Sequence, residues 1–455
     1  MTDVASNRES QVNDWLALAP KVPQLGNGQH WHVFLSYRSL NRTWVLHLYD
    51  ALRTAGFTVF VDQLEIAAGD SLARRLNNAL TGSQSGVIVW STHYNDSEWC
   101  QSEYESMEAM RKDGRFRFVV VKLSAAIDLP VLVKKDVYVD FSDYPDGPQG
   151  GELLKLMYGV LGKALPAEVL LASQTIDEQT KRSLASIRGA KAIGNVKKLI
   201  DGAIVGGSAW QASPLLYSAT ADALIEIDEC DRALEVLETA ALSFPKAVRP
   251  IQLRALAFAR KAKRAAKRAD DATLQDAERT VARDEAMALL NDAQQWLAEL
   301  FAMDHRDPET LGIFGRTWMD KYALTNVRAY LEKSRNLYAL AFKLNDDDYY
   351  TGINAAAKSL FLGERKEAAE YASRVEALVG AEPIAGDYWQ TATVAEAQLI
   401  QGHFEQATQV YRAAVVDAAT VTGSHSSTRG QAELILAALD APSDVRSKVV
   451  QSFAL

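Results

Sequence analysis

Residues 32–107 read HVFLSYRSLNRTWVLHLYDALRTAGFTVFVDQLEIAAGDSLARRLNNALTGSQSGVIVWSTHYNDSEWCQSEYESM, and this stretch decides the fold of the first part of the chain. Short β-rich runs alternate in it with segments whose apolar residues recur every three or four positions, the pattern of strands alternating with helices. With the segments that follow, strands are predicted at residues 32–36, 58–62, 86–91, 116–122 and 137–139. Helices are predicted at residues 42–55, 71–80, 98–112 and 150–164. This order predicts a five-stranded parallel sheet of the flavodoxin-like α/β class.

The second part of the chain is predicted to be all-helical. After about residue 165 the strand patterns end, and Ala, Leu, Glu and Arg dominate. Small residues recur there at the spacing of helical hairpins of about 34 residues, where two helices cross closely. The positions that carry this phase are Tyr217, Ala221, Ala233, Leu237, Ala240, Pro245, Gly363, Ala368, Ala372, Ala395, Gly402, Phe404, Ala407, Tyr411 and Ala414. They predict an irregular tetratricopeptide-like helical-repeat solenoid.

Four segments follow from these patterns. Residues 1–28 form an N-terminal extension, and residues 29–165 contain the α/β domain. Residues 166–210 are helical without a repeat phase and are interpreted as a connector that sets the orientation of the first domain. Residues 211–455 form the helical-repeat domain.

Composition narrows the class of protein. The 455 residues are 48% hydrophobic and 24% charged, as in a globular protein, and the formal net charge of -9 argues against nucleic acid as the main partner. The basic run at residues 260–268 is followed by acidic residues and is interpreted as a solvated helix face.

The two cysteines, Cys100 and Cys230, give neither a disulfide framework nor metal-ligand spacing. Since neither a signal peptide nor a membrane-spanning run is present, we expect a soluble cytoplasmic protein.

Four landmarks occur in order within the first domain. The first strand ends in FLSYR at residues 34–38, and the second ends in FVD at residues 60–62, before an acidic loop that contains Gly69. The third strand ends at Ser91, and the next helix opens with SEWCQSE at residues 97–103. Together these landmarks are similar to those of TIR domains over nearly the whole stretch quoted above.

This resemblance implies cleavage of the bond between nicotinamide and ribose in NAD. In enzymatic TIR domains a glutamate near the start of this helix is the catalytic group, four residues after an aromatic; here these are Glu103 and Trp99. A spacing of four places both on one helix face. Nicotinamide leaves as a neutral molecule, so the reaction needs no general acid, and a carboxylate suits the positive charge that develops on the ribose. Trp99 or Tyr94 is expected to stack on a flat ring of the substrate.

The remaining predicted substrate-binding residues follow the strand ends, because ligands of open α/β sheets lie outside the carboxyl ends of the strands. Arg38, after Ser36 and Tyr37, is a candidate for pairing with the pyrophosphate. The loop of residues 62–70 matches the BB loop of the family. Asp62 and Glu65 in that loop, and Ser91 after the third strand, complete the predicted site. NAD+ is predicted as substrate, with no cofactor and no metal.

The helical part carries a second resemblance. The stretches DPETLGIFGRTWMDKY (307–322), YYTGINAAAKSLFLGE (349–364) and RGQAELILAAL (429–439) resemble the regulatory region of the apoptosis signal-regulating kinases, which is described there as TRAF-binding. This resemblance implies a sensing or scaffolding role, and no kinase signature accompanies it.

Two functions remain open from the sequence. The first is an enzyme that cleaves NAD (a NADase), by hydrolysis or with cyclisation of the product. Self-assembly of TIR domains activates it. Its repeats respond to a protein partner or trigger, in immune or cell-death signalling such as anti-phage defence. The alternative is a non-enzymatic TIR and repeat scaffold, because a Trp-Cys pair followed by Glu also occurs in TIR adaptors.

Overall fold

The computed structural model describes residues 17–38, 41–61, 72–92, 94, 98–114, 116–127, 129, 138–303, 305–383, 387–417 and 422–453. The chain divides into two compact units between residues 305 and 306. The first unit contains the sheet and the helices that follow it, and the second is helical. The predicted boundaries at residues 165 and 210 separate segments of different architecture, whereas the division after residue 305 separates compact units. These two boundaries therefore stay predictions.

The sheet has five parallel strands in the order β2-β1-β3-β4-β5. They are β1 (Trp31–Tyr37), β2 (Val59–Val61), β3 (Ser83–Trp90), β4 (Arg117–Lys122) and β5 (Val139–Asp140). This is the flavodoxin-like order, so the predicted fold class is confirmed. β3 begins three residues before its predicted start, where Ser83 and Ser85 are buried. Their hydroxyls donate to the backbone oxygens of Ala79 and His32, which lets polar residues enter a buried strand.

Helices cover both faces of this sheet. They are α1 (Arg42–Thr54), α2 (Leu72–Thr81), α3 (Glu98–Lys112) and α4 (Gly150–Val160). Val33 and Leu35 of β1 belong to the apolar cluster that includes α1 and α4, whereas Phe34 belongs to the cluster that includes α2 and α3. Because successive side chains of a strand point to opposite faces, the nearly continuous apolar strands serve both clusters. We call the α1 and α4 side the anchor face and the α2 and α3 side the site face.

The anchor face is covered by further helices of the first unit. These are α5 (Ala167–Ala192), α6 (Val196–Val205), α7 (Ser208–Ala212), α8 (Leu215–Glu226), α9 (Cys230–Ser243), α10 (Val248–Ala269) and α11 (Asp276–Ala302). Buried residues of α5 to α10, together with Leu300 of α11, continue the apolar cluster of the anchor face. α4 packs against α5, and α1 packs against α10. The sheet and the first helical hairpins therefore share one core.

A buried carboxylate joins the sheet domain to α10. Asp50 of α1 is 2% exposed, and its two oxygens accept hydrogen bonds from the backbone N–H groups of Val248, at 2.9 Å, and Arg249, at 3.3 Å. These N–H groups lie in the first turn of α10, where a helix has no backbone partners of its own. Asp50 therefore acts as an N-terminal cap supplied from another domain.

The second unit is built from successive helical hairpins. Its helices are α12 (Pro308–Thr325), α13 (Arg328–Leu344), α14 (Tyr349–Phe361), α15 (Arg365–Val379), α16 (Tyr388–Ile400), α17 (Phe404–Asp417), α18 (Thr422–Ala438) and α19 (Ser443–Gln451). The side chains of Asp307, Asp348 and Asp387 cap α12, α14 and α16 by accepting from backbone N–H groups. Gly363 and Gly402 turn two hairpins with φ values of 86° and 83°, which glycine adopts without strain. The predicted helical-repeat architecture is confirmed.

Candidate active site

Hydroxyl groups tie the carboxyl end of β1 to the start of α3. Ser36, the penultimate residue of β1, is buried, and its Oγ lies 2.8 Å from the Oη of Tyr94. The Tyr94 hydroxyl donates in turn to the backbone oxygen of Cys100, at 3.0 Å. Since the single Tyr94 proton is used there, Ser36 is the donor to Tyr94. This chain of hydrogen bonds fixes α3 against the edge of the sheet.

Glu103 lies on α3, one turn after Cys100, and is 8% exposed. Burial raises the pKa of the Tyr94 hydroxyl well above its usual range, and the negative charge of Glu103 raises it further. The carboxylate is therefore close enough to Tyr94 for their charges to interact. A carboxylate in such a weakly polar setting acts more strongly on a nearby positive charge than one in water. Glu103 thus brings a negative charge to the site face, near the Tyr94 hydroxyl that meets the end of β1.

The position of Tyr94 differs from the one expected for a ring that stacks on the substrate. It is fully buried, and its ring stacks on Trp90 with the centroids 4.7 Å apart. Its backbone N–H donates to the oxygen of Ser91 at 3.2 Å, which closes the turn after β3. Tyr94 therefore shapes the wall of the site in this structure and presents no open face to a substrate.

The other predicted residues of the described part take distinct positions. Tyr37 is 5% exposed and belongs to the core of the anchor face, while its backbone oxygen accepts from the thiol of Cys100 at 3.5 Å. Arg38 follows β1 directly and is half-buried. Ser91 follows β3 directly and is buried. Cys100 is a buried free thiol, as expected for a packing residue rather than a nucleophile.

Part of the prediction lies outside the described residues. Asp62, Glu65 and the remainder of the 62–70 loop with Gly69 belong to this part. The backbone of Trp99 lies in α3, but its side chain is outside the described set. The predicted pairing of Trp99 with Glu103 on one helix face therefore stays a prediction.

The hydrogen bonds of Ser36, Tyr94 and Cys100 were missed by sequence reasoning. The sequence shows Tyr94 in a polar stretch, THYNDS, which is typical of an exposed loop. Only the aromatic residues around it, Trp90 and Tyr104, indicate an apolar pocket, and Tyr104 meets Trp90 edge to face at 5.4 Å. The direction of a loop side chain depends on its tertiary neighbours, which a single sequence does not supply.

Neither a cluster of metal ligands nor a membrane-spanning helix is found in the part of the chain that the structure describes. Outside the masked stretches such as 62–71 and 130–137, no group of three or more His, Cys, Asp and Glu side chains has an arrangement that could hold a metal ion. Within the same described ranges, no helix combines the length and the apolar character needed to cross a membrane.

Comparisons with known proteins agree with both halves of the fold. Residues 33–154 match the family model of the TIR domain, and residues 229–360 match that of the Tetratricopeptide Repeats-Sensor. The chain thus contains a TIR domain and a helical-repeat region of the sensor type, as the sequence predicted.

Curated relatives match over the TIR part of such proteins. The chain is 36% identical over 70 residues to the NAD(+) hydrolase PdTIR of Paracoccus denitrificans, covering 15% of this chain and 23% of the relative. It is 30% identical over 94 residues to the probable 2′ cyclic ADP-D-ribose synthase TcpB of Brucella melitensis, covering 20% and 38%. It is 27% identical over 114 residues to the 2′ cyclic ADP-D-ribose synthase BtTIR of Bacteroides thetaiotaomicron, covering 25% and 39%. The chain therefore spans well under half the length of each of these relatives.

Proposed function

We propose that this protein is a TIR-domain NAD+ nucleosidase that cleaves the bond between nicotinamide and ribose, with Glu103 as the catalytic carboxylate. The observation that carries the proposal is the position of Glu103, buried on α3 beside the strand ends and within electrostatic reach of Tyr94. The names of the relatives support the same chemistry, since they are an NAD(+) hydrolase and 2′ cyclic ADP-D-ribose synthases.

The proposed reaction breaks the bond from C1′ of the ribose to the ring nitrogen of nicotinamide. The electron pair of that bond leaves with nicotinamide, which becomes neutral, and the ribose becomes an oxocarbenium-like cation. The ionised carboxylate of Glu103 stabilises this cation. Attack by water gives ADP-ribose and releases one proton, whereas attack by a hydroxyl of the same molecule gives a cyclic product and also releases one proton.

The other residues hold the substrate in this proposal. Arg38 pairs with the pyrophosphate at the end of β1, because a guanidinium matches the geometry of phosphate oxygens. Trp99 stacks on a flat ring, and Asp62 and Glu65 approach from the loop after β2. These four residues and Glu103 are supported by residues that shape the strand ends, namely Ser36, Tyr37, Ser91 and Tyr94.

Assembly is proposed as the control of this activity. TIR domains of several copies associate, and the helical-repeat region binds a protein partner or trigger that brings them together. We further propose a cytoplasmic role in immune or cell-death signalling, such as anti-phage defence. In this scheme a dispersed chain is nearly inactive, and clustering starts the depletion of NAD.

NAD consumption by the purified full-length chain tests this function across a protein concentration series, with and without a crowding agent. Glu103→Gln is expected to lower the rate by at least about 100-fold while keeping the fold and the self-association, because it removes only the charge. Glu105→Gln is the matched control, since Glu105 is exposed on the same helix. Wild-type protein that never consumes NAD, even when assembled, would leave the non-enzymatic scaffold as the function.

A further inference from the structure

The anchor face of the TIR domain is covered by helices that follow the family match of residues 33–154. A helix on the outside of an α/β sheet ordinarily keeps one side in water. In α1, however, nine consecutive residues from Trp44 to Leu52 are buried. α10 packs against α1, α5 packs against α4, and their buried residues belong to one apolar cluster. The TIR domain and the following helices are therefore joined through a common core.

The two parts approach each other closely at two glycines. A Cβ atom added to Gly147, in the loop before α4, would lie 2.9 Å from Cδ1 of Leu215 on α8. A Cβ atom added to Gly151 of α4 would lie 3.0 Å from Oγ of Ser173 on α5. Leu215 is 2% exposed, and Ser173 is fully buried. Contacts as close as these are typical of a packed protein interior.

Polar contacts join the same two parts at α5 and at α10. The hydroxyl of Tyr144, in the loop before α4, donates to Oδ2 of Asp177 on α5 at 2.9 Å. Nη1 of Arg188, further along α5, donates to Oδ2 of Asp146 at 2.5 Å. At α10, the carboxylate of Asp50 accepts from two backbone N–H groups. Separation of the TIR domain from these helices would break all of these hydrogen bonds and expose the apolar cluster to water, which is unfavourable.

We propose that the TIR domain stays attached to α5–α10 when its activity is turned on, so that control moves the first unit as a whole. Domains move relative to each other by default, unless the interface between them is large and hydrophobic. Because its outer side is buried, α1 is closed to a second copy of the chain, and association of TIR domains uses other surfaces. This regulation rests on the proposed control by assembly and specifies which part of the chain moves.

Native-state hydrogen exchange of the full-length chain in low urea tests the attachment without an assay of NAD. The amides of residues 48–52 in α1 and 253–257 in α10 are expected to have protection factors within about fivefold of each other, because both become exposed only when the first unit unfolds. Both sets should also depend on urea with the same slope. A larger difference in either direction would show that one side of the interface opens without the other, and it would overturn the proposal.

The variant Leu215→Ala tests whether the attachment keeps the domain inactive. Loss of the contact with Gly147 is expected to lower the Tm of the first unit by about 4 °C or more. Leu242→Ala is the matched control, because Leu242 is 79% exposed on α9, and it should change the Tm by less than about 1 °C. Cleavage of NAD by dilute Leu215→Ala protein should stay within about twofold of the wild-type rate. A rise of more than about threefold would show that separation activates the domain, which contradicts the proposal.

A disulfide between α4 and α5 gives a further test under assembling conditions. In the double variant Gly151→Cys, Ser173→Cys, the new Cβ of residue 151 and the sulfur at the position of the Ser173 Oγ are close enough for a disulfide. The oxidised form is expected to cleave NAD within about twofold of the rate of the reduced form. A loss of more than about tenfold on oxidation, absent from Ser173→Cys treated alike, would mean that activation requires the two helices to part. If the wild-type chain never cleaves NAD, the proposed function fails, whereas hydrogen exchange still decides whether the domain stays attached.

Discussion

The anchor face and the site face of the same sheet differ in what packs against them. On the anchor face, α1 and α4 are buried under helices of the following region, and Asp50 bonds to the backbone of α10. On the site face, α2 and α3 close a smaller apolar cluster, and the hydrogen bonds of Ser36 and Tyr94 stay within the TIR domain. The anchor face therefore shares its core with the helices that follow the sheet, whereas the site face packs within the TIR domain and carries Glu103, the proposed catalytic residue.

The largest expected effect that separates the two faces is a loss of stability in mild acid. Burial, and then the charge of Arg249, lower the pKa of His47 to about 3; burial, and then Arg53, lower the pKa of His305 to about 4. Among the described residues both histidines with a lowered pKa contact the anchor face. His47 is on α1, and the Nε2 of His305 accepts from Arg53 of α1 at 3.4 Å.

These histidines stay neutral in the folded protein, whereas the unfolded chain binds protons below its ordinary pKa of 6.5. Stability is therefore full above that pH and falls on acidification, by about 2 kcal/mol for each histidine near about pH 5. Urea unfolding at a series of pH values measures this slope. The double variant His47→Gln, His305→Gln should flatten it, and an unchanged slope would show that other groups control the acid sensitivity.

Loss of the cap on α10 is the next largest effect. Asp50→Ala leaves two buried N–H groups of α10 without their acceptor, so we expect the free energy of unfolding of the first unit to fall by about 2 kcal/mol. Urea denaturation followed by fluorescence measures it. Glu105→Ala, an exposed acid on the site face, should change it by less than about 0.5 kcal/mol. Equal effects of the two variants would refute the view that the anchor face holds the domains together.

The sequence predicted the sheet well because its signals are local. Five apolar strands and the phase of the intervening helices can be seen without knowledge of long-range contacts. The burial of α1, in contrast, depends on helices that are far away in the sequence. Nine consecutive residues of α1, from Trp44 to Leu52, are buried, although the helix contains His47 and Asp50. A helix that is buried all round needs partners on every side, and the run WVLHLY was the signal for it.

For the candidate site, the positions of the selected residues near the strand ends could be predicted better than the contacts of their side chains. The spacing and resemblance selected Glu103 and the strand ends, and the structure places Ser36, Ser91 and Glu103 at one edge of the site face. The neighbouring aromatic residues were a weak signal for a pocket around Tyr94, but its contact with Ser36 depends on the packing of its ring on Trp90 and could not be predicted. The type of a residue can be read from the sequence, whereas the direction of a loop side chain depends on its neighbours in the folded protein.

The smallest expected effect tests whether the buried hydroxyls of the site face serve the reaction. Tyr94→Phe removes the Oη that meets Ser36 and Cys100, so we expect a loss of about 1 kcal/mol in unfolding free energy and a several-fold lower rate of NAD cleavage. Tyr104→Phe is the matched control on the same face, because its Oη lies at 3.5 Å from Glu108 and is half-buried. That variant should change both quantities little. If Tyr94→Phe loses stability but cleaves NAD at the wild-type rate, the buried hydroxyls stabilise the fold and do not serve the reaction. In that case the hydrogen bonds of the site face would be purely structural, like those of the anchor face.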